Sequence, residues 1–98
     1  MAFQVEWTER ASQAMEAIWT YIACDNPAAA DRVIDGIVQQ ADRLEAVPRL
    51  GPWYSCNLPG EIRQTISGKY RIFYEVNESD QRVEILNVWH GARQEPEL

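Results

Sequence analysis

The stretch Lys69–Arg93, KYRIFYEVNESDQRVEILNVWHGAR, constrains the fold more than any other part of the chain. Two β-rich runs, Tyr70–Val76 and Arg82–Trp89, flank Asn77-Glu78-Ser79-Asp80-Gln81, a cluster of turn formers. That pattern predicts a hairpin with a loop of about five residues. Tyr70, Ile72, Tyr74 and Val76 alternate with Arg71, Phe73 and Glu75, which gives the first strand one strongly apolar face. On the second strand Val83, Ile85 and Trp89 read to one side, Leu86 and Val88 to the other. Apolar residues on both sides predict a central strand covered at least in part on each face. The hairpin runs into His90-Gly91-Ala92-Arg93, so the only histidine and an arginine stand at a strand end, where scaffolds commonly present functional groups.

The rest of the chain reads as cover for this sheet. Phe3–Trp7 alternates apolar and polar residues, a short strand. Thr8 is placed to cap a helix over Glu9–Ala23, whose apolar stripe is Ala11, Met15, Ile18 and Ile22, with Ala14 and Tyr21 beside it. Asn26-Pro27 restarts a helix that runs to about Ala46 and carries Ala30, Val33, Ile34, Ile37, Val38, Ala41 and Leu44 inward. Gly36 in its middle costs on the order of 1 kcal/mol against alanine, which a close helix crossing would explain. Pro48–Pro52 opens an irregular loop through Gly60, pinned by Trp53, Tyr54 and Leu58. Glu61–Ile66 is a strand, and Ser67-Gly68 turns into the hairpin. The expected order is β-α-α-β-β-β in a single domain, residues 1–98. It is an α+β fold in which a helical hairpin packs on a mainly antiparallel four-stranded sheet.

Charge and cysteine content exclude several classes of function. The net charge of −6 argues against direct DNA binding by the chain alone, since phosphate affinity rests on Lys and Arg. The charge is uneven: residues 1–48 hold three basic and eight acidic side chains, residues 49–98 six and seven. The second half therefore leaves room for a local basic patch. Cys24 and Cys56 lack metal-type spacing and make no disulfide framework, so neither a metal nor another cofactor is expected. No apolar run approaches the ~20 residues needed to span a bilayer. The N-terminus lacks a basic segment followed by an apolar one. The expectation is a soluble cytoplasmic protein with no membrane partner.

The ordered set of Asn26-Pro27-Ala28-Ala29-Ala30, Pro48-x-x-Gly51, Gly68-Lys69-Tyr70-Arg71-Ile72-Phe73-Tyr74 and Val83-Glu84-Ile85-Leu86-x-Val88-x-His90-Gly91-x-Arg93 resembles the RelE/ParE superfamily of toxins from type II toxin–antitoxin (plasmid-stabilisation) systems. The resemblance spans almost the whole chain. It implies a small cytoplasmic toxin neutralised by a cognate, ParD-like antitoxin. The ParE-like branch is associated with inhibition of DNA gyrase, the RelE-like branch with ribosome-dependent cleavage of mRNA. Arg71 and Arg93 match family arginine positions. Glu61 and Arg63 stand where RelE-like nucleases carry basic residues, and Gln94–Leu98 offers no counterpart of the tyrosine general base found in many of them. Both departures favour the ParE-like branch.

Each candidate residue carries two readings. His90 suits proton transfer, or else hydrogen-bonds its loop. Arg63, Arg71 and Arg93 could grip a phosphate or an acidic partner segment, or else pair with Glu61, Glu75 and Glu84 across the sheet. Trp53, Tyr54 and Trp89 could form a partner-binding patch, or else pack into the core. In the nuclease alternative Arg71, His90, Arg93 and Glu61 would share the catalysis; in the gyrase reading Arg63, Arg71, Trp53, Tyr54 and Arg93 make partner contacts.

Overall fold

The computed structural model describes residues 2–55 and 59–91. Arg93, Cys56 and Leu58 lie outside the described residues. The elements are β1 (Gln4–Trp7), α1 (Glu9–Ala23), α2 (Pro27–Asp42), β2 (Trp53–Ser55), β3 (Glu61–Ser67), β4 (Tyr70–Asn77) and β5 (Arg82–His90); a 3₁₀ turn, Arg43–Glu45, continues α2. The strands form one sheet in the order β1-β5-β4-β3-β2. β1 runs parallel to β5, and the other neighbours are antiparallel.

Both helix starts form as their capping residues dictate. The Thr8 hydroxyl oxygen accepts from the Ala11 amide at 3.2 Å, and the same hydroxyl donates to the Ile85 carbonyl at 2.8 Å. The cap thus fastens the beginning of α1 to β5. Asn26 Oδ1 accepts from the Ala29 amide at 3.1 Å, with Pro27 at the first helical position.

The helical hairpin covers one face of the sheet. Ala11, Ile37, Ala41 and Leu44 are fully buried against Ile72, Tyr74, Val83 and Ile85. Val38 lies at the margin of the expected stripe and is exposed. Gly36 does not mark a helix crossing: its nearest neighbour is the Ser67 hydroxyl of β3, so the close approach is between helix and sheet.

Two features depart from the expected sheet. The stretch taken as irregular loop contributes a fifth strand, since Trp53 pairs with Arg63 and the Pro52 carbonyl accepts from the Gln64 amide at 3.1 Å. Gly51 permits this pairing, because a Cβ there would fall 1.9 Å from the Gln64 carbonyl oxygen. The second departure is a bulge in β5. Phe73 faces Asn87 and Tyr74 faces Ile85, so Leu86 is the extra residue. The bulge shifts the alternation by one. Val83, Ile85 and Val88 all face the helices, while Trp89 turns to the other face instead of sharing a side with Val83 and Ile85.

Candidate functional site

Cross-strand register and alternation decide which candidate side chains can meet. His90 stands opposite Tyr70, and their rings meet edge to face at 5.2 Å. Both lie on the helix-facing side, at the end of the sheet where the Gly91 amide donates to the Lys69 carbonyl at 2.7 Å. Arg71 stands opposite Trp89 on the reverse side, its guanidinium 5.4 Å from the centre of the Phe73 ring. The Tyr54 ring meets Phe73 edge-on at 4.8 Å on the same reverse face. Arg71 and His90 leave the sheet on opposite sides, yet both line a depression of about 670 Å³ at its end together with Ile66, Lys69 and Gly91.

Glu61 is remote from both. It stands opposite Val76, six positions along β4 from Tyr70, or about 20 Å at strand rise. Arg49 grips it through two hydrogen bonds of 2.9 and 3.0 Å, and Arg63 donates a third at 2.6 Å. Burial alone would raise the Glu61 pKa, but the hydrogen bonds from Arg49 and Arg63 outweigh it and hold the carboxyl below its usual range. Arg49 is also paired with Glu78 at 2.8 Å.

Arg63 belongs to this cluster. Its side chain is only 13% exposed, it donates to the Gly51 carbonyl at 2.8 Å, and its guanidinium lies 5.2 Å from the centre of the Trp53 ring. Gly51 is held from a second side, since its amide donates to the buried Tyr74 hydroxyl at 2.9 Å. The arginine thus fixes the Pro48–Pro52 turn and the position of Trp53, a residue that remains 51% exposed. Arg63 does pair with Glu61, but along β3 rather than across the sheet, and Glu84 likewise pairs along its own strand with Arg82 at 3.2 Å.

Features that sequence reasoning missed surround the Tyr70–His90 pair. A groove of about 610 Å³ runs between α1 and the outer edge of β5, lined by Ala14, Ala17, Ile18, Tyr21 and Val88. A second depression of about 560 Å³, between α2 and the β3–β4 turn, brings Arg32 and Lys69 beside His90. The uneven charge of the two halves gave no signal for Arg32, which lies in the acidic half, and singled out no residue in the other. Among the described residues, no group of His, Cys, Asp and Glu could hold a metal, and no helix is long and apolar enough to cross a membrane.

Comparison with known proteins agrees with this architecture. The family model described as the ParE toxin of the type II toxin–antitoxin system parDE matches residues 5–95. A candidate toxin of Sinorhizobium fredii, Y4kP, is 33% identical over 100 residues, covering 97% of this chain and 95% of that protein. The chromosomal ParDE system of P. aeruginosa contains a chain of similar fold, with TM-score 0.73 and 22% identity over 91% of this chain and 96% of that one. E. coli RelE aligns with TM-score 0.67 and 17% identity over 96% of this chain and 89% of that one. At such identities the two solved structures speak for the fold. The family match and the Y4kP relative go further: this chain belongs to the ParE toxin family of type II toxin–antitoxin systems within the RelE/ParE superfamily.

Proposed function

We propose that the protein is a ParE-like toxin that blocks DNA gyrase by protein–protein contact in the cytoplasm and is held inactive by a ParD-like antitoxin. The observation that supports this reading over the RelE-like endoribonuclease is the distance between the candidate proton-transfer groups, His90 and Glu61. Cleavage through the ribose 2′-hydroxyl needs a base, an acid and a cation converging on one phosphate. Here Arg71 and His90 line one depression with Lys69, but Glu61 is committed to two arginines at the far end of β3, about 20 Å away at strand rise. A contact poison needs no such convergence. Exposed Trp53, set in place by Arg63, and half-buried Arg71 and Tyr54, packed on buried Phe73 on the reverse face, are the contact groups of this reading.

The test in cells is expression without antitoxin. DNA-damage signalling and filamentation with intact mRNA are the expected outcome. Fragmented mRNA without damage signalling would turn the reading to the nuclease.

A further inference from the structure

Gly36 stands in the middle of α2, where it costs on the order of 1 kcal/mol of helix stability against alanine. Packing does not require it. Outside the helix's own backbone, a Cβ there would meet only the Ser67 hydroxyl, at 3.4 Å, which is ordinary van der Waals contact. What the missing side chain leaves is space, because Gly36 lies on the depression of about 560 Å³ between α2 and the β3–β4 turn.

The two sides of this depression differ in kind but share a sign. On α2, Arg32 and Val33 stand one turn before Gly36, and Ile22 of α1 extends the apolar wall. Across from them the turn presents Lys69. Ser67 pairs with Tyr70, and Gly68 takes φ +58° at the first position of the two-residue turn. The Lys69 carbonyl then accepts from the Gly91 amide at 2.7 Å, so the backbone that carries the ammonium group is anchored. Arg32 and Lys69 make no ion pair among the described residues, and no Asp or Glu lines the depression. Asp31, next to Arg32 in sequence, instead accepts from the Trp19 indole N–H at 2.8 Å. In a chain of net charge −6 this is a local reversal of sign. Two like charges around one depression repel, and an anion between them removes that cost.

We propose that this depression binds a small organic phosphate monoester of mononucleotide size, its phosphoryl group between Arg32 and Lys69 and its organic body against Val33 and Ile22. A phosphate monoester carries about 1.5 to 2 negative charges at neutral pH, which matches two cations, whereas a single carboxylate leaves one uncompensated. The guanidinium offers paired donors to phosphate oxygens and the ammonium a compact charge. The volume lies within the range of about 300–1,000 Å³ usual for small-molecule sites. A nucleic-acid chain fits less well. Beyond the depression it would run along α2, whose Asp31, Asp35 and Asp42 repel a polyanion. The proposal stands apart from the gyrase reading and does not rest on it.

The test titrates the intact protein with the common ribonucleoside 5′-monophosphates and follows its amide resonances. Saturable shifts at Gly36, Gly68 and Lys69 are expected, with a Kd below about 1 mM, a readout that needs no variant to fold. The matching nucleosides should not saturate, and inorganic phosphate should bind at least about tenfold more weakly than the esters, since it lacks the apolar contact. Arg32→Ala and Lys69→Ala should each weaken binding about tenfold at low salt, with the difference fading toward 1 M salt. Gly36→Ala should narrow the depression and weaken binding about threefold while the melting temperature holds or rises. No saturable shift below about 10 mM ester, shifts that bypass the three amides, or wild-type binding by both charge variants would overturn the site. Inorganic phosphate binding as tightly as the esters would overturn the organic ligand in favour of a simple anion. A 5′-phosphorylated oligonucleotide binding more than about tenfold tighter than the mononucleotides would overturn it in favour of a nucleic-acid end.

Discussion

Arg71 and His90 sit near the same end of the sheet yet face opposite ways, because Tyr70 pairs with His90 and Arg71 with Trp89. The Tyr70–His90 ring contact fixes one side and the Arg71–Phe73 contact the other. Arg71 and His90 line one depression at that end, but no carboxylate stands in it to serve as a second proton-transfer group beside the imidazole. His90→Gln should therefore leave growth inhibition by the expressed toxin within about threefold of wild type. Removal of a working general acid or base would instead cost about 10²–10⁴-fold.

Ile37 joins the helical hairpin to the sheet and is fully buried. Ile37→Ala should cost about 2–5 kcal/mol in denaturant melts, the range for an isoleucine removed from a core with little room to collapse. A loss below about 1 kcal/mol would mean that the hairpin packs differently.

The Glu61 cluster makes stability depend on acid. The carboxyl's folded pKa lies below its ordinary value of 4.5 because Arg49 and Arg63 hydrogen-bond its charged form. The unfolded chain thus takes up the proton first as pH falls. The contribution is full above about pH 4.5 and is lost as pH drops through the depressed value. Arg63→Leu should remove the smaller part of this acid dependence, Arg49→Leu the larger, and Arg63→Leu should also cost about 1–3 kcal/mol at neutral pH, since it leaves the Gly51 carbonyl without its donor. Thermal melts of the wild type and both variants between pH 3 and pH 7 give the comparison.

Thr8 both caps α1 and donates to the Ile85 carbonyl. Thr8→Ala should lose about 0.5–2 kcal/mol, and Thr8→Ser should recover most of it. Equal losses for the two would point to packing of the threonine methyl group rather than to the hydroxyl.

Much of the fold was legible because short-range chemistry and global packing agree. Thr8 and Asn26-Pro27 start their helices, and the alternation of Tyr70–Val76 marks the buried side of β4. The bulge at Leu86 was hidden because nothing in Val-Glu-Ile-Leu-Asn-Val announces an extra residue, yet it alone decides which way Trp89 points. β2 escaped because three residues carry no period, and its pairing rests on Gly51 approaching a strand distant in sequence. The site was less legible still. The capture of Arg63 by Glu61 and Gly51 depends on tertiary geometry, as does the meeting of Arg32 and Lys69 beside His90. Sequence supplied Glu61 as a partner for Arg63, but not Gly51, Arg49 or the company of His90.

The central claim, a contact poison of gyrase rather than a ribosome-dependent nuclease, is tested most directly with purified components. The protein is titrated into an ATP-dependent gyrase supercoiling reaction and, in parallel, into a reconstituted translation reaction with labelled mRNA. Supercoiling should stop at toxin concentrations stoichiometric with gyrase and recover on adding antitoxin, and mRNA should remain full length. Uninhibited gyrase together with codon-specific mRNA cuts, abolished by His90→Gln, would contradict it.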